Sequence, residues 1–254
     1  MATVSPAERL LVELGIKDPR DIDLEAIAFS QGAYVKYRPM DRCEATIVGN
    51  DRLAIIAVNS LSIPKRQRFS IAHEIGHWLL HRNKLLFCTS KDIGGFARNA
   101  MDPERQADDF ASDLLLPTFM FKPAIRRIRS LSLQALDDLS GTFEASRTAT
   151  LLKVVKSNRF PIVMVRDGLD GRRWFWSSKV VSARWRIRND IDPESFAYEL
   201  LHSGGTGSTA ARKVGADAWF EFRGCADEEV REQSFVSVLG EVITIVTVPE
   251  SGTG

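Results

Sequence analysis

The segment "RFSIAHEIGHWLLHRNK" constrains the fold most, because it holds three of the chain's four histidines at intervals of four residues. The pattern predicts a helix from about Lys65 to His81, following Pro64. Side chains four residues apart lie one above the other on a helix, so His73 and His77 share its apolar face. Two imidazoles held in this way can direct nitrogen atoms at one metal ion, provided that a second element packs against that face.

Glu74 follows His73 and points about 100° further around the helix. It can therefore reach a water molecule at the metal without being a ligand, which is the H-E-x-x-H arrangement of zinc peptidases. The alternative is that both histidines are hydrogen-bonded core residues and that Glu74 faces solvent. A chance match is rare in a chain with four histidines, which favours the metal hypothesis. His81, one turn beyond His77, is predicted to be structural.

A zinc site that hydrolyses a peptide needs three protein ligands and one open position. The segment "DPERQADDFASDLLLP" predicts a second helix capped by Asp102, with its apolar stripe at Ala107, Phe110, Ala111, Leu114 and Leu115. Glu104 extends that stripe into the interior, where a carboxylate needs a cation, so we predict Glu104 as the third ligand. The alternative is a first-turn acidic residue favoured by the helix dipole.

Asp108 lies one turn after Glu104. It is predicted to accept the second ring N–H of a ligating histidine, with an ordinary surface charge as the alternative.

The rest of the chain alternates between short β-prone and helical segments. "LAIIAVN" (Leu53 to Asn59) is predicted to be an edge strand that pairs with a substrate peptide. The alternative is an ordinary core strand, and the two are compatible. Helices are predicted at 131–140 and 146–157. A hairpin around "RDGLDG" and strands at "DAWFEF", "QSFVSV" and "EVITIVTV" are predicted after them.

Composition and charge exclude several classes of protein. The formal net charge of +1 gives no global field that favours nucleic acid or a membrane. Three widely spaced cysteines argue against a disulfide framework, and the N-terminus lacks the pattern of a signal peptide, so a cytoplasmic protein without a membrane partner is expected.

Cys88 is predicted to be a buried structural thiol rather than an inhibitory zinc ligand. Five aromatic residues of the C-terminal part are predicted to lie in the hydrophobic core. The alternative is that they line a sensor pocket. They are Trp174, Phe175, Trp176, Trp185 and Trp219.

Two motifs in this order resemble the ImmA/IrrE metallopeptidases: "IAVNSLSIPKRQRFSIAHEIGHWLLH" and "ERQADDFASDLLLP". The resemblance implies an α+β fold with a zincin-like metallopeptidase domain (1–123), a helix-turn-helix-like segment (124–158) and a C-terminal α+β domain (159–254), a candidate sensor. It also implies His73, His77 and Glu104 as zinc ligands and Glu74 as the catalytic acid/base. Asp108 departs from the family, which often has Asn at this position.

The resemblance further implies a zinc-dependent endopeptidase, with Mn²⁺ or Fe²⁺ as other metals. Its expected partner is a helix-turn-helix repressor, whose cleavage would relieve repression in a stress or mobile-element response. The rival hypothesis is a DNA- or repressor-binding regulator that uses residues 131–156 and has a non-catalytic zinc site. The basic residues that favour it are Arg126, Arg127, Arg129, Arg147, Lys153 and Lys156. Tyr34, Tyr37 and several arginines are candidates for the oxyanion stabiliser, and the sequence does not choose among them.

Overall fold

A computed structural model describes residues 4–41, 43–82, 102–169, 171–204 and 206–253. The helices are α1 (Pro6–Glu13), α2 (Leu24–Ser30), α3 (Pro64–Leu80), α4 (Pro103–Leu115), α5 (Thr118–Arg126), α6 (Leu133–Thr142), α7 (Arg147–Ser157) and α8 (Phe196–His202). The strands are β1 (Ala33–Arg38), β2 (Ala45–Gly49), β3 (Ala54–Asn59), β4 (Ile162–Gly168), β5 (Gly171–Ser177), β6 (Arg212–Gly215), β7 (Glu229–Val236) and β8 (Val242–Thr247). None of the helices in these ranges has both the length and the apolar character that a membrane span requires.

The chain divides into two compact units, one from Met1–Ala124 and Leu139–Ser146, the other from Ile125–Asp138 and Arg147–Gly254. Each unit has its own sheet. The α+β fold class is therefore confirmed. The three-part division into 1–123, 124–158 and 159–254 remains a prediction.

The sheet of the first unit has the strand order β1-β3-β2. β3 runs parallel to β1 and antiparallel to β2, so both of its edges are paired. Its Ala54, Ile56 and Val58 side chains are buried, whereas Ile55 on the opposite face is 44% exposed. The edge-strand prediction for "LAIIAVN" is wrong, because β3 is the central, core-forming strand.

Helices α3 and α4 form where their sequence patterns predicted them. Pro64 and Pro103 occupy first-turn positions, where a missing N–H costs nothing. The Asp102 side chain accepts a hydrogen bond from the Glu104 backbone N–H at 3.0 Å and caps α4. The predicted stripe of α4 is buried, which orients the helix with Glu104 towards α3.

Gly76 allows α3 and α4 to approach closely. A Cβ atom at this position would lie 3.1 Å from the Phe110 Cβ and 3.2 Å from the Ala107 Cα. The Ala107 Cα belongs to the backbone of α4, so it cannot move away without shifting that helix. The close approach places the histidines of α3 beside the carboxylates of α4.

Replacing Gly76 with valine is expected to lower the free energy of unfolding by about 1–3 kcal/mol, the usual cost of overpacking a core. Gly141→Val is the matched control, since a Cβ at Gly141, also in a helix, meets nothing within 4 Å. Denaturant unfolding of both variants measures the difference. Equal stabilities would contradict the close helix contact.

The second unit contains an antiparallel sheet with the order β5-β4-β8-β7-β6. β4 and β5 form the hairpin predicted around "RDGLDG". The strand predicted at "DAWFEF" is wrong, because Ala216–Ala218 form a 3₁₀ turn instead. That turn places the Trp219 ring in the core, where its indole N–H donates to the Glu232 carboxylate at 2.9 Å. Burial raises the pKa of Glu232 despite this and other hydrogen bonds.

Candidate metal centre

Three side chains from α3 and α4 bring their donor atoms to one point. The Nε2 atoms of His73 and His77 are 2.9 Å apart. Each lies 3.3 Å from a carboxylate oxygen of Glu104. The donor atoms of the three residues all lie within 4.8 Å of one another. The structure therefore brings together the residues that the sequence predicted as ligands.

The donor atoms are spaced as a tetrahedral ion requires. Zinc bonds of about 2.0–2.1 Å separate neighbouring tetrahedral donors by roughly 3.3 Å. Both nitrogen–oxygen distances match this value, and the nitrogen–nitrogen distance is slightly shorter. The side chains of His73 and His77 are 0% and 1% exposed, whereas that of Glu104 is 13% exposed. Solvent therefore reaches the group from the Glu104 side.

Glu74 is completely buried beside this group. Neither of its carboxylate oxygens has a hydrogen-bond partner among the residues that the structure describes. Burial raises the pKa of Glu74 to about 7, with a further increase from the Glu104 charge and an opposing effect from His73. The alternative in which Glu74 faces solvent is wrong. A buried carboxylate without a donor is costly, so its presence fits a site completed by a cation and a water molecule.

Asp108 holds His73 from the side away from the other donors. Its carboxylate lies 2.9 Å from the His73 Nδ1. Burial lowers the pKa of His73, but hydrogen bonds to Asp108 and Glu104 outweigh it and raise the pKa to about 9. A bound cation would replace the proton on Nε2; the hydrogen that remains on Nδ1 would then face Asp108, and the Nε2 lone pair would be directed at the cation. Asp108 therefore contacts His73 and is not an isolated charge on the surface.

Glu104 is held in its charged form. Burial favours the neutral acid, but hydrogen bonds from His73 and His77 and their positive charges keep the pKa of Glu104 well below its ordinary value. An ionised carboxylate between two imidazoles is a donor set that suits a divalent transition metal.

His81 also belongs to this cluster, although the sequence predicted only a structural role. Its Nδ1 lies 3.2 Å from the His77 Nδ1, and its Nε2 lies 3.1 Å from the Gln106 Oε1. Gln106 was missed by the sequence analysis altogether. Its position two residues after Glu104 is not on the apolar stripe of α4, so periodicity gave no signal for it.

Other residues singled out by the sequence have different outcomes. The Tyr37 hydroxyl donates to Glu25 at 2.9 Å, and burial with this acidic neighbour raises the pKa of Tyr37 to about 12. Trp185 and Trp219 lie in the core of the second unit, whereas Phe175 is 49% exposed. Cys88 lies outside the described residues.

Residues 124–158, which were predicted to be a helix-turn-helix-like segment, contain α6 and α7. One side of α7 is turned inward, with Thr150, Leu151, Val154 and Val155 buried. Two of its basic side chains are engaged within their own unit: Arg147 pairs with Asp137, and Lys156 lies over the Trp176 ring at 5.4 Å. These contacts engage two of the basic side chains on which the rival hypothesis depends.

A family model described as the IrrE N-terminal-like domain, a peptidase family, matches residues 28–154. The match covers half of the chain and contains both α3 and α4. The chain belongs to the IrrE N-terminal-like domain family. The resemblance drawn from the two sequence motifs is thereby confirmed for this IrrE-like chain.

The IrrE-like chain is also similar to two individual proteins. The radiation response metalloprotease IrrE of Deinococcus radiodurans is 28% identical over 109 residues, which are 43% of this chain and 33% of that protein. The match thus spans about a third of the length of the curated relative. A Mycobacterium tuberculosis transcriptional regulator superimposes with a TM-score of 0.63 over 95% of this chain and 75% of that chain, at 15% identity. At that identity the likeness concerns the fold alone.

Proposed function

We propose that this chain is a zinc-dependent endopeptidase that cleaves a helix-turn-helix transcriptional repressor. The observation that carries the proposal is the buried Glu74 carboxylate beside the His73, His77 and Glu104 donors, which has no hydrogen-bond partner in the described part of the chain. A purely structural metal site has no use for an additional buried carboxylate that has no hydrogen-bond partner among the described residues. Family membership and the name of the Deinococcus metalloprotease support the reaction class.

Zinc bound by these residues would supply a Lewis acid that activates water and polarises the scissile carbonyl. His73, His77 and Glu104 would hold it, and the exposed side of Glu104 is the approach for substrate. Glu74 accepts the proton of the attacking water and returns it to the leaving amine. Its pKa of about 7 suits both transfers near neutral pH. Two imidazoles and a carboxylate also bind non-haem iron, so the identity of the bound metal is the first property to determine.

The substrate is expected to bind as an extended strand. β3 is paired on both sides, whereas β2 lies at an edge of the sheet in the described part of the chain. β2 also packs against α3, the helix that carries His73 and Glu74. We therefore assign the substrate strand to the free edge of β2, where backbone hydrogen bonds give affinity without requiring one sequence.

The substrate class rests on the family resemblance. A regulator that binds DNA through residues 131–156 is the rival; Arg147, one of the basic residues it would use, pairs with Asp137. A salt-sensitive shift of a DNA probe by the purified protein would favour the rival.

The test incubates the zinc-loaded protein with the helix-turn-helix regulator encoded nearest to its gene, with and without a chelator. Intact-mass spectrometry is expected to show two fragments of the regulator, and the chelator should abolish them. Unfolded casein serves as a second substrate. Cleavage of casein but not of the regulator would refute the repressor assignment, and cleavage of neither by a zinc-loaded sample would refute the endopeptidase.

A further inference from the structure

His81 joins the metal ligand His77 to the second site helix. It lies at the C-terminal end of α3, where its backbone N–H donates to the His77 carbonyl at 2.9 Å, and it is 5% exposed. One ring nitrogen contacts His77 and the other contacts Gln106 of α4. The contacts form a continuous chain from an amide on one helix to a ligand on the other.

The chemistry of each partner determines where the hydrogen atoms lie. An amide oxygen only accepts, so the Gln106 Oε1 requires a hydrogen on the His81 Nε2. A neutral imidazole has one ring hydrogen, which leaves a lone pair on the His81 Nδ1. The 3.2 Å contact between the two Nδ1 atoms then requires the hydrogen to be on His77. His77 is left with its lone pair on Nε2, the atom that lies 3.3 Å from Glu104.

We propose that Gln106 and His81 are positioning residues that fix the tautomer and ring orientation of His77 for metal binding. The inference rests on the proposed metal site. It gives each histidine ligand its own support: the Asp108 carboxylate for His73, and this neutral relay for His77. Glu74, Glu104 and Asp108 already bring negative charge to the site. Another carboxylate at the site would weaken the metal ion as a Lewis acid. The neutral relay orients the His77 imidazole without adding one.

The position of the ring hydrogens is directly measurable. Long-range ¹H–¹⁵N NMR spectra of the zinc-loaded protein, with histidines labelled, distinguish a protonated ring nitrogen from an unprotonated or metal-bound one. We expect His81 to carry its hydrogen on Nε2 and His77 to carry its hydrogen on Nδ1. A hydrogen on the His81 Nδ1 would reverse the relay and overturn the proposal.

Zinc affinity provides the second measurement, by competition with a chromophoric chelator. His81→Leu removes the acceptor, and loss of such a partner typically weakens binding about 10-fold or more. His81→Asn places an amide oxygen close to the former Nδ1 and should retain nearly the wild-type affinity. His202→Leu, a histidine of the second unit, is the control. Equal affinities for the leucine and asparagine variants of His81 would overturn the relay.

Two further comparisons keep the result interpretable. Circular dichroism of the metal-free variants checks folding; if His81→Leu does not fold, Gln106→Leu against Gln106→Glu repeats the comparison of a lost and a retained acceptor. A wild-type protein that binds no zinc would refute the proposed function itself. A wild-type protein that binds zinc, with a leucine variant that binds it equally well, would refute only the relay.

Discussion

Replacing Glu74 with glutamine is expected to lower the rate of regulator cleavage by about 10²–10⁴-fold, the range over which general acid–base groups contribute. The amide has nearly the same shape as the carboxylate but cannot accept the proton of water. Zinc should stay bound, because Glu74 is outside the group of three donor residues.

The variant should also be at least as stable as the wild type when free of metal above about pH 7. The pKa of Glu74 is raised from its ordinary value of 4.5 to about 7 in the folded state, so the buried carboxyl group lowers the folding stability progressively from about pH 4.5, and the whole loss is present above about pH 7. Glutamine removes the charge and with it that cost. Wild type and variant are compared by thermal unfolding in the presence of a chelator.

Zinc content by mass spectrometry and cleavage by fragment analysis are measured on the same samples. Glu199→Gln, the same substitution at an exposed site in α8, is the matched control and should cleave at the wild-type rate. Unchanged cleavage by Glu74→Gln would remove Glu74 from the reaction. Loss of zinc from the variant would instead make Glu74 a ligand.

The local part of the site was predictable because helix geometry is local. The interval between His73 and His77 fixes their common face once the segment is helical. The inward position of Glu104 followed from the apolar stripe of its own helix, without knowledge of the partner helix. In the structure, each imidazole Nε2 of α3 lies 3.3 Å from a carboxylate oxygen of Glu104 on α4.

Contacts that depend on how two elements are aligned were not predictable. The pairing of His81 with Gln106 depends on how far α3 and α4 are shifted along each other. The hydrophobic periodicity of each helix gives no information about that shift. The central position of β3 has the same origin. Its apolar residues predicted burial, but only its pairing with both β1 and β2 determines that it is not an edge.

The C-terminal part shows a third limit. Aromatic residues indicate apolar surface without saying which side of a strand faces inward. Trp219 is buried because a 3₁₀ turn rather than the predicted strand directs it at Glu232. Phe175 lies in a true strand yet is half exposed. The core hypothesis was therefore right for some members of the group and wrong for Phe175.

Replacing His77 with alanine is expected to abolish the stabilisation of the protein by zinc. A ligand at 100 times its dissociation constant stabilises the folded state by about 2.7 kcal/mol. In a chain of this size that corresponds to a rise of roughly 5–10 °C in Tm. The wild type should show this rise for the unit that contains α3. The variant should show none, because the remaining histidine and carboxylate leave the ion with two protein ligands.

The Tm of each protein is measured with zinc and with a chelator, and the two values are compared. Any loss of stability that the substitution causes by itself affects both values and cancels. His202→Ala is the matched control: it is the one histidine outside the α3 cluster, it lies in α8 of the second unit, and it should keep the full zinc-induced rise. A rise of wild-type size in His77→Ala would show that the ion is held elsewhere. Because the two imidazoles and Glu104 converge on one point, that result would remove the physical basis for the peptidase.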